Sequence, residues 1–286
     1  MLTEIAPAKI NLTLRVLGRR QSGDNVGYHE LESLVAFADL ADRLVLEPGE
    51  TLALDVTGPF ATASGNVSDN LVLKAVNALR ERAGGVKAGC FRLEKNIPVA
   101  AGVGGGSADA AAALRLLARV NDILLDDERL VDAARAVGAD VPVCLASKAR
   151  IMRGVGEQLS PPIHLPKLPA VLINPRIAVA TRDVFGKLVI PHRGAPLREP
   201  PLSFAETVEF LRGHGNDLTD AAVACAPVVA GVLTELQALP NQLLVRMSGS
   251  GATCFALFSS LAEASAAAQS LQAGHPNWWV EAVELS

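Results

Sequence analysis

The chain is 286 residues long, half of them hydrophobic and a fifth charged, with only 4% aromatic residues and a formal net charge of −4. This balance excludes an intrinsically disordered chain, and it excludes a chain-wide basic field that would gather nucleic acid or anionic lipid. The scarcity of aromatic rings also argues against a stacking platform for single-stranded nucleic acid.

In chain order, residues 8–17 (AKINLTLRVL) alternate Ile10, Leu12, Leu14 and Val16 with polar neighbours, the period of a half-buried strand. Residues 19–27 read as a polar loop, and strands are expected over 30–46 and 51–56. Ser68 or Asp69 is expected to cap a helix that runs through LVLKAVNALRERA and stops at Gly84 and Gly85. Cys90 to Glu94 reads as a short strand. A glycine-rich turn follows, then an alanine-rich helix from about Ser107 to Val120. Asp126 to Val137 forms a further helix, ended by Gly138. The proline-dense stretch SPPIHLPKLP (160–169) breaks both helix and strand, which sets a domain boundary near residue 160. Beyond it come a short strand VLINP and a surface loop over 191–201. Helices are expected over 203–213, 218–238 and 261–272, and strands over 242–247, 252–258 and 277–285. That order suggests an α+β layer.

Cys90, Cys144, Cys225 and Cys254 form no CxxC pair and no zinc spacing, so they read as buried, reduced thiols of a cytoplasmic protein. The first residues lack the pattern of a signal peptide, and no run of 18 apolar residues occurs.

Four segments carry chemistry. In PVAAGVGGGSADAAAALRLL (98–117), Gly102, Gly104, Gly105 and Gly106 precede Ser107 and a helix. Glycine lets a ligand approach the backbone, and a helix start offers unpaired N–H groups with partial positive charge, so together they can cradle phosphate. Ser107 is free to cap the helix, to bind a phosphate oxygen, or to do both. Neither the Walker pattern nor GxGxxG fits. Lys9 stands as a cation just before a strand, and Asp140 in GADVP is held in a loop before a proline, where a carboxylate can accept a proton or meet a metal. Gly249 and Gly251 in MSGSGATCFALF mark a second tight turn.

Taken together, PAKINL, the glycine loop with its serine and helix, GADVP and MSGSGA resemble the GHMP kinase superfamily in sequence and in order. Its members phosphorylate small alcohols with ATP. The blocks GYHELESLV, SDNLVLKA, GVGEQL and NDL extend the likeness over residues 6–258. The resemblance implies a two-domain α+β fold. An N-terminal ATP-binding domain (1–159) would be like ribosomal protein S5, and a C-terminal substrate-binding domain (160–286) would be ferredoxin-like. The last strand would be free to pair back with the first domain, and the active site would lie in the cleft between.

The resemblance also implies an activity, the ATP-dependent phosphorylation of the 2-hydroxyl of 4-diphosphocytidyl-2-C-methyl-D-erythritol in the non-mevalonate pathway to isoprenoids. The alternative is another alcohol of the superfamily: homoserine, mevalonate or a sugar. By resemblance Lys9 and Asp140 are catalytic, Asp140 either receiving the alcohol proton late in the transfer or orienting the hydroxyl, and Lys9 offsetting charge on the phosphoryl group. Pro98, Val99, Ala100, Ala101, Gly102, Val103, Gly104, Gly105, Gly106, Ser107 and Ala108 would wrap the ATP phosphates, with Asn70 and Lys95 also on the nucleotide. Asn11, Tyr28, His29, Phe185, Gly249, Ser250 and Gly251 would meet the substrate, Tyr28, His29 and Phe185 around its cytosine. ATP with Mg²⁺ is the implied cofactor, with no metal-binding side chain assigned. The implied partner is the small-molecule substrate, with no nucleic acid or membrane and a monomer or weak homodimer. The chain departs from the family at Ala100 and Ala101, where glycines are common, at Ala108, where a second serine is usual, and at Thr219, where glutamate is usual.

Overall fold

The computed structural model describes residues 1–22, 26–99, 101–190 and 196–286. In chain order the strands are β1 (Leu2–Asn11), β2 (Arg15–Arg19), β3 (His29–Gly49), β4 (Ala53–Thr57), β5 (Ala88–Glu94), β6 (Arg150–Gly154), β7 (Gln158–Leu159), β8 (Leu168–Asn174), β9 (Leu244–Met247), β10 (Cys254–Leu257) and β11 (Trp279–Leu285). The helices are α1 (Leu71–Ala83), α2 (Gly105–Val120), α3 (Glu128–Val137), α4 (Val141–Ala146), α5 (Thr181–Lys187), α6 (Phe204–Arg212), α7 (Thr219–Cys225), α8 (Val228–Gln237) and α9 (Leu261–Gly274). Among the described residues, no helix is long and apolar enough to cross a membrane. These elements form two units. One comprises Met1–Lys9, Leu40–Val99 and Gly104–Ser147, and the other Ile10–Asp39, Ala100–Val103 and Lys148–Ser286.

In the first unit the end of β3 pairs antiparallel with β5, Arg43 opposite Glu94, and β5 pairs in parallel with β4. β5 is one-sided: Phe91 and Leu93 are buried while Cys90, Arg92 and Glu94 face solvent. Helix α2 is apolar almost all round. Its run Ala110–Ala113 and its leucines 114, 116 and 117 are fully buried, as befits a helix at the centre of a core. Small alanine side chains let α1, α3 and α4 pack closely on it, and each buried leucine contributes about 1.5–3 kcal/mol.

A buried ion cluster ties this unit together. Lys95, just past β5, donates to Asp42 of β3 and to Asp109 of α2, the latter at 2.8 Å. Asp42 also accepts the backbone N–H groups of Asn96 at 2.5 Å and Ile97 at 2.9 Å. A charge out of water persists only when paired and hydrogen-bonded. Burial opposes the Lys95 ammonium, but the two carboxylates outweigh it and raise its pKa. One cation cannot balance two carboxylates, and burial pushes the Asp109 carboxyl up to about 7.

In the second unit the sheet runs β3–β11–β8–β10–β9, every neighbouring pair antiparallel. β8 is buried along its whole length, the signature of a central strand covered on both faces. The start of β3 also pairs with β2 and β6. Buried charges here are matched as well. Glu32 accepts from Arg15 and Arg153 at 3.0 Å each and from the Leu197 N–H at 2.7 Å. Arg246 donates to the carbonyls of Leu12 at 2.6 Å and Leu211 at 2.8 Å, and burial lowers its pKa to about 10.

The structure corrects several expectations. The strand expected over 8–17 begins at Leu2 and breaks after Asn11, where the N–H groups of Leu12 and Thr13 share the Leu34 carbonyl. Its half-buried alternation is absent from residues 6–11, which are buried on both faces, and is kept in β2. Asn70 caps α1, its side chain accepting from the Val72 N–H at 2.9 Å, because Ser68 and Asp69 belong to a preceding 3₁₀ turn. The helix expected over 218–238 is two helices, divided at Pro227, whose ring excludes helical backbone at Ala226. Of the four free cysteines, Cys144 and Cys254 are buried, Cys225 is half-buried and Cys90 is exposed.

Two outcomes follow. Asn70→Ala should lower stability by about 1 kcal/mol in urea unfolding, while Asn70→Asp retains it, since either oxygen caps the helix. An unfolded carboxyl titrates near 3.9, whereas folded Asp109 titrates at about 7. The native state therefore holds this proton more tightly, and the associated stability is fully present below about pH 4 and lost as pH rises to about 7. The stability of the wild-type chain minus that of Asp109→Asn should fall as urea unfolding is repeated from about pH 5 to 8. A difference that stayed flat or rose would contradict the buried, proton-holding carboxyl.

Candidate active site

Within the first unit, three features converge. The Lys9 ammonium near the end of β1 lies 2.9 Å from Asp140 Oδ2, the lysine side chain only 4% exposed and the aspartate 36% exposed. Asp140 lies in the short turn between α3 and α4, as expected. It occupies the residue before α4, with helical backbone angles, and its side chain caps nothing, which leaves the carboxylate to Lys9. Pro142 suits this first turn, where a missing N–H costs no hydrogen bond.

The third feature is the start of α2. It begins at Gly105, two residues before the expected Ser107, and Gly104 is its N-cap in the left-handed region at φ +63. A β-carbon on Gly104 would stand 3.2 Å from both Cβ and Cε of Lys9 and 4.0 Å from Asp140 Oδ2. Only glycine therefore lets the helix start lie on the lysine stem. The first N–H groups of α2 lack intrahelical partners and carry the positive end of the helix dipole, an arrangement that receives an anion. A cation, a partly exposed carboxylate and a helix N-terminus thus meet in one place. Ala108 is buried against the core, so its position offers the site backbone only, and the usual serine hydroxyl has no counterpart.

Other candidates sit nearby in the same unit. The Lys95 ammonium is engaged by Asp42 and Asp109 rather than exposed. A β-carbon on Gly105 would lie 3.4 Å from it. Asn70 is at the head of α1. A β-carbon on Gly106 would meet the Leu71 side chain at 3.3 Å, so the heads of α1 and α2 are adjacent. Val99 is partly exposed. Ala100 lies outside the described residues.

In the second unit, the turn after β9 packs on the glycine loop. The Ser248 hydroxyl donates to the Gly102 carbonyl at 3.1 Å and accepts the Asn11 N–H at 3.1 Å. Asn11 donates from Nδ2 to the Ser33 hydroxyl at 2.7 Å. Gly102, at φ +76, has the Gly251 carbonyl 2.6 Å from where a β-carbon would be, so no other residue fits. The Thr253 N–H donates to the Ala101 carbonyl at 3.1 Å. Ser250 bonds Thr181 at 2.8 Å. The rings of His29 and Phe185 stack at 4.8 Å between centroids. Burial, then the charge of Arg19, lowers the His29 pKa, which favours the neutral ring. Tyr28 is 63% exposed, and its ring does not join that stack.

Several residues escaped sequence reasoning. Asp109 is a carboxylate in an otherwise apolar, buried run, and that mismatch is the signal that marks it; Asp42, between exposed Asp39 and exposed Arg43, carries no such signal. Asn216, noted only within NDL, donates to the carbonyls of Met247 and Gly249 at 2.8 Å each and so fixes the second turn. Among the described residues, no three His, Cys, Asp or Glu side chains converge to hold a metal.

Residues 70–148 match the family model of the GHMP kinases N terminal domain, and residues 203–277 that of the GHMP kinases C terminal domain. The chain is 54% identical to a 4-diphosphocytidyl-2-C-methyl-D-erythritol kinase of Rhodopseudomonas palustris (strain BisA53), over 100% of this chain and 98% of that protein. It is 53% identical to the protein of the same name from Bradyrhizobium diazoefficiens, again over 100% and 98%. A crystal structure of a 4-(cytidine 5'-diphospho)-2C-methyl-D-erythritol kinase, 35% identical, superposes with a TM-score of 0.76 over 100% of this chain and 99% of that one. The chain has the GHMP kinase fold, with its N- and C-terminal domains, and it belongs to the 4-diphosphocytidyl-2-C-methyl-D-erythritol kinase family of GHMP kinases.

Proposed function

We propose that this chain transfers the γ-phosphoryl group of ATP to the 2-hydroxyl of 4-diphosphocytidyl-2-C-methyl-D-erythritol, a step of the non-mevalonate pathway to isoprenoids. The observation that carries the chemistry is the Lys9–Asp140 pair at 2.9 Å, set against the start of α2. The identity to relatives of that name along the whole chain supports the choice of alcohol.

Phosphoryl transfer needs alignment and charge neutralisation more than covalent help. The backbone of the loop from Pro98 to Ala108 and the first turn of α2 receive the phosphates. Asp140 accepts the hydrogen bond of the 2-hydroxyl, aims it in line with the phosphorus, and takes its proton as the new O–P bond forms and ADP leaves. Lys9 holds the Asp140 carboxylate in place and offsets the negative charge that gathers on the transferring group. Asn70 and Lys95 serve the nucleotide side, Lys95 through the ion cluster beneath Gly105. Asn11, Gly249, Ser250 and Gly251 meet the substrate, and His29, Phe185 and Tyr28 attend its cytosine, where ring stacking is worth about 1–3 kcal/mol per base. On this reading residues 1–159 bear the nucleotide and residues 160–286 supply much of the substrate contact, a division supported by family models that match on either side of residue 160.

Mg²⁺ would supply charge neutralisation between the phosphates. The residues present suit it, because Mg²⁺ takes one or two carboxylates with phosphate oxygens and water rather than an all-protein cage. Asp140 is the partly exposed carboxylate of the site.

Coupled ADP release from ATP should depend on the cytidine diphosphate alcohol and not on homoserine, mevalonate or galactose. Asp140→Asn should lower kcat about 10²–10⁴-fold if the carboxylate takes the proton. Turnover with one of the other alcohols instead, or wild-type turnover by Asp140→Asn, would overturn the reading.

A further inference from the structure

The ion cluster beneath α2 includes neither Lys9 nor Asp140, yet it is built to a tight specification. The Asp42 carboxylate serves three donors. Oδ1 accepts two consecutive backbone N–H groups, Asn96 at 2.5 Å and Ile97 at 2.9 Å, and Oδ2 holds the Lys95 ammonium. Two adjacent amides on one oxygen fix the direction of the chain where it leaves β5 and enters the glycine loop. Lys95 reaches onward to Asp109, on the second turn of α2, at 2.8 Å. The cluster therefore grips the chain on both sides of the loop.

Gly105, the first residue of α2, completes the link. A β-carbon there would meet Ile97 Cγ2 at 3.2 Å and Lys95 Nζ at 3.4 Å, so the first turn of α2 rests directly on the residues that Asp42 holds. Asp42 has both carboxylate oxygens hydrogen-bonded. Asp109 Oδ1, by contrast, is buried without a hydrogen-bond partner among the described residues.

We propose that Asp42 is a positioning residue, holding Lys95 to Ile97 and through them the first turn of α2 in the conformation that receives the ATP phosphates. This rests on the kinase reading above. N–H groups held in advance bind an anion without first being ordered, and that saved ordering appears as affinity. Asp42 is fully buried, so the substrate alcohol does not touch it.

The test is Asp42→Asn in the full chain, read by amide hydrogen exchange, by binding of a non-hydrolysable ATP analogue, and by steady-state kinetics. Exchange at Asn96 and Ile97 should quicken by about tenfold or more, and analogue Kd and KM for ATP should rise about tenfold, while KM for the alcohol stays within about twofold. If Asp42→Asn does not fold, Asp42→Asn/Lys95→Met removes the opposite charges together and carries the same expectation. Wild-type protection at the two amides, an ATP KM within about twofold of wild type, or equal rises in both KM values would overturn the proposal. So would failure of both variants to fold, because the cluster is then structural only. Should the kinase reading itself fail, the wild-type chain does not turn over with the alcohol, whereas amide protection and analogue binding still report on Asp42.

Discussion

A lysine side chain that is 4% exposed must keep a carboxylate within reach, or the ammonium becomes too costly to hold in its charged form. In this chain that carboxylate is Asp140, and much of the first unit serves to bring the two together. The end of β1 buries the lysine stem. The short helix α4, with proline in its first turn, holds the aspartate without using its side chain as a cap. Gly104 lets a third element, the start of α2, lie on the same stem where any β-carbon would intrude. The pair is asymmetric, with the cation buried and the carboxylate partly open to water. That asymmetry suits a group that must meet an incoming hydroxyl while its charge is held from behind.

The second buried lysine answers the same requirement differently. Lys95 is as buried as Lys9, but its two carboxylates are buried with it, so this assembly presents no charge outward. Its surplus negative charge falls on Asp109, whose proton is retained to about pH 7. The unit thus contains two lysine–carboxylate assemblies near one helix start, one open for chemistry and one closed for support. On our reading the open one performs phosphoryl transfer and the closed one keeps the phosphate-binding backbone in shape.

Much of this was legible in the sequence. Lys9, Asp140 and the glycine loop stand out because their residue types and order are specific, and the structure brings Lys9, Asp140 and Gly104 together. Helices α2, α6 and α9 were expected close to their observed bounds, α2 from its alanine-rich run. Other features depended on distant partners and left no local trace. The alternation over 8–17 suggested one exposed face, yet the polar residues Lys9 and Asn11 are buried because Asp140 and Ser33 satisfy them. Asn70 took the capping role from Ser68 and Asp69 because an extra 3₁₀ turn lies between. Asp42 and Asn216 act through backbone groups far along the chain, which no local pattern announces. Pro227, by contrast, carried its signal openly, and a strict reading of the residue before proline would have split the helix.

A double-mutant cycle on Lys9 and Asp140 tests the central claim most directly. If the two side chains act as one unit on the transferring phosphoryl group, Lys9→Met/Asp140→Asn should be about as slow as the worse single variant, because the second change removes nothing that still works. Losses in kcat that multiply would contradict the account, as would full turnover by either single variant.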